Sequence, residues 1–521
     1  MRPHSMANRL TTTNAPAMAK DLSDKRILRL LYNYVNSRGL DGYLVGGSVR
    51  DALLNREGKD TDVLIPGIDE TMANSIATTM DGHVIPLDPQ QRVFRIILPS
   101  TNSDNYSDPY RLDISDLPDD IEKNLERRDF TIDAMAVKLA DTTLEPASWR
   151  VIDPTGGRND LKHGFVRAVN DQVINQDPIR GLRGIRLAAE LGFQITHQTV
   201  GIITSGSHLI VECSPERIRD EFLRVLAAPN VGDQIAMLSK TGLLDAIIPE
   251  LSVARGVSQP KEHYWNVYDH SLQAVTMSEL VLTKGFRNSN EAGKLIPWKP
   301  WFTTYFEQLA SDGHTRNTWL RVAALLHDVG KPQTKTIEAN GKIRFFGHPT
   351  VGLEITNAIL RRLRVSNHGI DMIGKMVEEH LRPGQISQKG EMPTNRAIYR
   401  YFRQMDNVAI DTLYLNFADF LAARGPALPM DEWTKHCARI AYTIEQGTGE
   451  ALHSEKPPRL LDGHDVMKAF SLTPGPTLRP LLDLVEEAQA VGTITTRNQA
   501  FELLASHLHT AQSSSIGGSH A

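Results

Sequence analysis

Hydrophobic positions change their period partway along this chain. Up to about residue 169 they come in short runs: Tyr43-Leu-Val45 stops at Gly46-Gly47, and Arg92-Val-Phe-Arg-Ile-Ile-Leu98 and Arg111-Leu-Asp-Ile114 read as strands. Between them Val49, Leu53 and Leu54 share a helical stripe, and Asp119 to Arg127 reads as a helix. From Asp177 the spacing becomes helical, with Ile179, Leu182, Ile185 and Leu187 recurring around Arg183 and Arg186, and helix follows helix almost to the end. Pro260, a polar stretch from Lys284 to Asn317, and Pro426 to Pro429 interrupt the helical part. No internal repeat is present. The predicted fold class is α+β, a mixed head followed by a long all-α neck and body. The expected divisions are a disordered tail (1–24), a head (25–169), a helical neck (170–255), a second helical domain (256–430), a helical C-terminal region (431–511) and a flexible tail (512–521).

Composition narrows the class without identifying it. A chain of 521 residues exceeds one core and needs several domains. Its net charge of −5 means that any nucleic-acid site must be a local basic patch. Two cysteines exclude a disulfide framework and fit a reducing compartment. No run reaches the roughly 18 apolar residues of a membrane span, and no apolar signal core opens the chain. The expectation is a soluble cytoplasmic protein with no membrane contact.

The densest chemistry follows the first strand. Lys59-Asp-Thr-Asp-Val63 puts Asp60 and Asp62 two apart, on one face if this is a strand, where two carboxylates can share Mg²⁺ with a phosphate substrate. Gly46 and Gly47 let backbone N–H groups approach phosphates, with Arg50 and Asp51 on the helix behind them. Alone, such an acidic turn also has a purely structural reading. In Asn124-Leu-Glu-Arg-Arg-Asp-Phe-Thr-Ile-Asp-Ala-Met-Ala136, Arg127 and Arg128 can clamp triphosphate oxygens, while Asp129 orients an arginine or a ribose. The same residues also read as a capped, charged helix end. Helical spacing then predicts Asp177, Arg180 and Arg183 on one face. Carboxylate and guanidinium there can imitate a Watson–Crick partner for an incoming base. Further on, Val322-Ala-Ala-Leu-Leu-His-Asp-Val-Gly-Lys-Pro332 ends an apolar helix in adjacent His327 and Asp328, polar groups that need partners.

Taken in order, the Gly-Gly, Asp-x-Asp, Arg-Arg-Asp-Phe-Thr and Asp-x-x-Arg segments resemble the class II tRNA nucleotidyltransferases and bacterial poly(A) polymerases. The resemblance spans roughly residues 40 to 425. It implies a polymerase-β-like head with a third carboxylate on a neighbouring strand, Asp113 or alternatively Asp116, and selection of CTP or ATP by Asp177 and Arg180. Gln176 stands where the family usually has an acid. Asp153, in the Asp-Pro-x-x-Gly-Gly segment, reads as a turn or cap residue. The helical part resembles an HD-superfamily domain, implying a metal set of His270, His327, Asp328, His348, His380 and Asp419, with Lys331 facing a substrate phosphate. The implied cofactors are Mg²⁺ in the head and Mg²⁺ or a transition metal in the HD domain; the implied partners are tRNA, CTP and ATP, with no protein partner. The implied function is template-independent addition of CTP and ATP to a tRNA 3′ end, with phosphohydrolase activity in the HD domain. Full CCA-adding members carry a longer loop rich in arginine and tyrosine where this chain has the short polar stretch Ser100 to Asp119. That keeps CC-only addition open as an alternative, with A addition or poly(A) synthesis behind it. The rival of another class is an HD hydrolase whose head only binds RNA. Arg361, Arg362 and Arg364 are a candidate tRNA surface.

Overall fold

The computed structural model describes residues 15–56, 60–99, 110–387, 391–448 and 459–516, with 15–24, 60 and 510–516 described at the backbone only. It divides into two compact units. One ends at Cys213 and includes Lys240–Leu243; the other holds Ser214–Ser239 and the chain from Leu244 onward.

The first unit is built on a seven-stranded sheet. Its strands are β1 (Tyr43–Val45), β2 (Asp60–Ile65), β3 (His83–Asp88), β4 (Val93–Leu98), β5 (Tyr110–Asp116), β6 (Ala136–Lys138) and β7 (Val151–Ile152), ordered β3-β4-β5-β2-β1-β6-β7. Only β2 and β5 run parallel, with Asp60 opposite Arg111 and Asp62 opposite Asp113. Strand alternation decides which residues are left for chemistry. Val63, Ile65, Leu112 and Ile114 enter the main core with Leu31, Val35, Val49 and Ile76 from the helices α1 (Ala15–Asn36), α2 (Gly47–Leu53) and α3 (Glu70–Thr79). Leu64 joins a smaller cluster on the opposite face. Asp62, two residues from Leu64, therefore faces away from the main core. The turn after β5 leads into α4 (Ile121–Glu126), which Asp120 caps through Oδ1 on the Glu122 N–H at 2.8 Å.

Several expectations about boundaries change. Residues 15–24, expected in a disordered tail, open α1; Ala15, Ala17, Met18, Ala19 and Lys20 are good helix formers. Residues 512–516 likewise continue the helix Arg497–Ile516 rather than starting a flexible tail. The first unit continues past the expected head limit at residue 169 to Cys213, so part of the expected neck packs with the head. Helix α7 (Arg180–Leu191; α5 is Gly157–His163 and α6 is Val173–Gln176) gives Leu187 and Ala188 to the head core. Gly184 permits this close fit, since a Cβ there would stand 2.6 Å from Phe130 Cζ.

In the second unit the stretch from Lys284 to Asn317 is not a polar interruption. It forms short helices Lys284–Ser289 and Trp301–Glu307, and its Trp298 packs beside Phe302, Phe306 and Tyr414, with Arg287 over the indole at 3.3 Å. Trp433 ties it down, donating from Nε1 to the Ala292 carbonyl at 2.9 Å. The last three helices, Gly463–Phe470, Leu478–Ala490 and Arg497–Ile516, have their own core of Leu461, Val466, Leu481, Val485, Ile494, Ala500 and Leu504. Among the described residues no helix is long and apolar enough to cross a membrane. Trp433 is fully buried, so Trp433→Ala should cost about 3–5 kcal/mol of stability by cavity formation. A lowered thermal midpoint would register it; an unchanged midpoint would show that the 284–317 stretch is held by other contacts.

Candidate functional site

In the head, three expected residues come together. Gly46 adopts φ 68°, and a Cβ added to it would lie 2.6 Å from Arg128 Nη1 and 3.7 Å from Asp62 Oδ2. Glycine thus allows an arginine and a strand carboxylate to meet beside a bare backbone. Burial pulls the Arg128 pKa down, while Asp62, Asp133 and Asp129 act to keep it charged. Gly47 lies against Arg50, whose guanidinium is also largely buried but is held charged by Asp133 and Asp51. The Asp62 N–H donates to Ser48 Oγ at 3.0 Å, which fixes the strand carrying the carboxylate against the start of α2.

Other expected residues are placed differently. The side chain of Asp60 lies outside the described residues; its backbone opens β2. Asp113 shares a face with Asp62 by register but is held by Arg95 in a two-point pair at 2.8 and 2.7 Å. The alternative, Asp116, caps the Gly67 N–H at 2.8 Å and pairs with Arg92. Arg127 points outward to Asp119 at 2.8 Å, its side chain 66% exposed. Asp153 accepts from the Gly157 and Arg158 N–H groups, a capping role.

The single helical face predicted for Asp177, Arg180 and Arg183 does not form. Pro178 disfavours helical geometry at Asp177, which takes φ −154° and ψ 102°, and α7 begins only at Arg180. Arg180 donates to Gln176 Oε1 at 3.2 Å and to the Arg127 carbonyl at 3.5 Å, so this segment touches the turn that carries Arg128. Arg183 turns to Asp129, Nε to Oδ2 at 2.9 Å.

The second constellation lies among helices of the second unit. His270, His327, Asp328 and His380 are at most 1% exposed and His348 is 7% exposed. Oδ2 of Asp328 lies 3.3 Å from His270 Nε2 and 3.2 Å from His327 Nε2; Oδ1 lies 3.4 Å from His348 Nε2 and 3.7 Å from His380 Nε2. Asp419 completes the first lobe, its Oδ1 3.0 Å from His270 Nε2. Asp328 thus bridges two groups, each able to hold a cation. The donor set fits a metal on two counts. His327, His348 and His380 each place Nδ1 2.7–2.8 Å from a carbonyl three residues earlier. At His348 and His380, donation there leaves Nε2 as the lone-pair side, and these two nitrogens face each other at 3.3 Å. Both Asp328 oxygens also lack an aligned hydrogen bond. Burial alone would raise Asp328, but His327 and Lys331 hold it well below the usual carboxylate range. Burial and His327 push His380 down to about 3. Lys331 pairs with Asp328 at 2.6 Å and donates to Gln259 at 2.7 Å.

Three regions of the chain match known protein families. Residues 42–167 match the poly A polymerase head domain, 192–255 the probable RNA and SrmB-binding site of polymerase A, and 302–412 the HD domain. An A-adding tRNA nucleotidyltransferase of Deinococcus radiodurans is 30% identical over 467 residues, covering 88% of this chain and 93% of the relative. The chain belongs to the tRNA nucleotidyltransferase family. A CC-adding member from Thermus thermophilus is 29% identical, over 88% of this chain and 92% of its own. The same fold recurs in a CCA-adding enzyme solved with ATP (TM-score 0.62, 18% identity, 95% and 98% of the two chains). It recurs again in a Thermotoga maritima CCA-adding enzyme complexed with tRNA (TM-score 0.58, 18% identity, 94% and 98%). The chain is a nucleotidyltransferase of a metal-dependent family that joins this head to an HD domain.

Four residues at these sites carry no local signal strong enough to single them out. Ser48 and Asp133 lie inside recognisable motifs but are ordinary polar residues there. Arg95 occupies a routine polar position on β4. His263 precedes the HD motifs, and its ring meets that of His270 edge-on at 5.5 Å. Of the candidate tRNA surface, Arg362 is taken up by Glu250 at 2.5 and 2.8 Å. Gly46→Ala should drive Arg128 from its place and weaken nucleoside triphosphate binding at least about tenfold with the fold retained. Titration calorimetry with CTP and ATP reads this directly, and wild-type affinity in the variant would refute the close-approach argument.

Proposed function

We propose that this enzyme extends the 3′ end of tRNA with CTP and ATP, without a nucleic-acid template. The tRNA 3′-hydroxyl attacks the α-phosphate, the new phosphodiester forms, and pyrophosphate leaves. Arg128 and the backbone at Gly46-Gly47 grip the triphosphate, with Arg50 and Arg127 beside them, and Asp129 orients the neighbouring Arg183. Asp177 and Arg180 read the Watson–Crick edge of the incoming base. Mg²⁺ held by Asp60 and Asp62, with Asp113 as third carboxylate once Arg95 releases it, would activate the hydroxyl and stabilise the leaving group. The observation carrying this reading is that Arg180 donates to the Arg127 carbonyl, so base-reading and phosphate-holding groups adjoin.

A-adding and CC-adding relatives match this chain almost equally, and residues 100–109, which bear on that choice, lie outside the described residues. Three tRNA substrates separate the outcomes: one lacking the terminal trinucleotide, one ending in C and one ending in CC, each supplied with CTP or ATP. Full CCA synthesis needs extension of all three; a CC-adding enzyme stops at CC, and an A-adding enzyme extends only the last. Asp60→Ala and Asp62→Ala should each abolish incorporation. Unchanged incorporation would leave the head as an RNA-binding module and overturn the assignment.

A second activity is favoured by the two-lobed cluster on Asp328: metal-dependent hydrolysis of phosphoesters, with Asp419 in the first lobe and Lys331 facing the substrate phosphate. Chelation and reloading with Mg²⁺, Mn²⁺, Ni²⁺ or Zn²⁺ should remove and restore it. His327→Ala and Asp328→Ala should eliminate it while sparing nucleotide incorporation; hydrolysis that survives both variants would place it elsewhere.

A further inference from the structure

One acidic residue of the head meets three of the arginines: two through its carboxylate and one through its backbone carbonyl. Asp133 closes the 3-10 turn Thr131–Asp133 and is 1% exposed. Its Oδ1 accepts from Arg50 Nη1 at 2.5 Å. Its backbone carbonyl accepts from Arg128 Nη1 at 3.4 Å. Its Oδ2 stands 3.8 Å from Arg183 Nη2 and, among the described residues, has no hydrogen-bond partner. The three guanidinium groups come from α2, from the turn after α4 and from α7.

Packing of the head does not require a carboxylate here. Ile132 and Ala134 on either side are fully buried, and an apolar residue would fill the position without the desolvation cost of a buried charge. Local charge balance rests on it only in part, since it is one of several carboxylates that keep Arg50 and Arg128 charged. Asp51 already pairs with Arg50 at 2.9 Å, and Asp129 with Arg183 at the same distance. What Asp133 adds is a common reference point. Long guanidinium side chains have many rotamers, and one rigid buried residue that takes Arg50 and faces Arg183 with its carboxylate, and takes Arg128 with its carbonyl, limits how one can move relative to another.

We infer that Asp133 is a positioning residue that fixes the triphosphate-side arginines, Arg50 and Arg128, relative to Arg183 on the base-reading helix, so that grip on the phosphates and choice of base are coupled. This rests on the nucleotidyltransferase reading of the head. Substrate held out of register by even an ångström reacts more slowly, and a wrong base shifts the phosphates only if the two ends share a support. Asp133 is that support.

The test uses the full chain, a tRNA substrate it extends, and all four nucleoside triphosphates. Asp133→Asn keeps the size and the bond from Arg50 but removes the charge. The expected result is a KM for the preferred nucleotide about tenfold higher, a smaller change in kcat, and a preference over UTP and GTP about tenfold lower. Asp141→Asn is the structural control: Asp141 is 5% exposed, pairs with Arg150 and touches none of these arginines. That variant should lower the thermal midpoint and leave nucleotide preference unchanged. An Asp133→Asn enzyme that is less stable but keeps wild-type preference overturns the inference. Arg183→Gln alters a side chain 44% exposed, and serves if the first variant fails to fold. It should likewise lose preference, and unchanged preference there counts against the coupling. Where both fold, Asp133→Asn should add little on the Arg183→Gln background; fully additive losses also overturn it. A wild-type chain that incorporates no nucleotide would instead sink the functional reading beneath it.

Discussion

The approach of Arg128 Nη1 to the backbone at Gly46 constrains most of what surrounds it. A guanidinium can sit there only because position 46 has no Cβ and tolerates a positive φ. Once there, Arg128 needs carboxylates to stay charged under burial, and Asp62, Asp129 and Asp133 come from a strand and a turn to supply them. The sheet order follows the same requirement. Placing β2 between β1 and β5 puts Asp62 next to the glycine turn on one side and level with Asp113 on the other. Apolar residues of alternate parity then seal the opposite face, which leaves the carboxylates on the side where substrate can reach them.

The helical unit meets a similar constraint in another way. Its buried polar groups come from five separate stretches of chain, and almost none of them is exposed. Three histidines satisfy one ring nitrogen on a carbonyl one helical turn back, which orients the other toward a shared centre. Asp328 uses both oxygens as a bridge. The head thus assembles its charge around a flat strand pair and a tight turn, whereas the HD cluster assembles around one carboxylate at a helix end.

Much of this was legible in residue order. Strand parity at Asp62, the turn at Gly46-Gly47, the arginines after α4 and the adjacent His327 and Asp328 are local patterns, since periodicity and motif spacing are properties of contiguous chain. The misreadings share a cause. The Lys284–Asn317 stretch reads as polar because charged and hydrogen-bonding side chains outnumber the apolar ones around its aromatic residues, yet Trp298 packs against Phe302, Phe306 and the remote Tyr414 once the helices meet. Helical spacing linked Asp177 to Arg183, but Pro178 broke the helix between them and Asp129 drew Arg183 away.

By itself, then, the sequence determined the order of elements, the family and the reactive residue types, because each is encoded over a few to a few tens of residues. Only the tertiary structure decided pairing. It is the fold that ties Asp113 to Arg95, sets Ser48 beneath the Asp62 strand, and buries Asp133 among Arg50, Arg128 and Arg183. Those choices depend on which distant charges share a desolvated space, and proximity in space has no period along a chain.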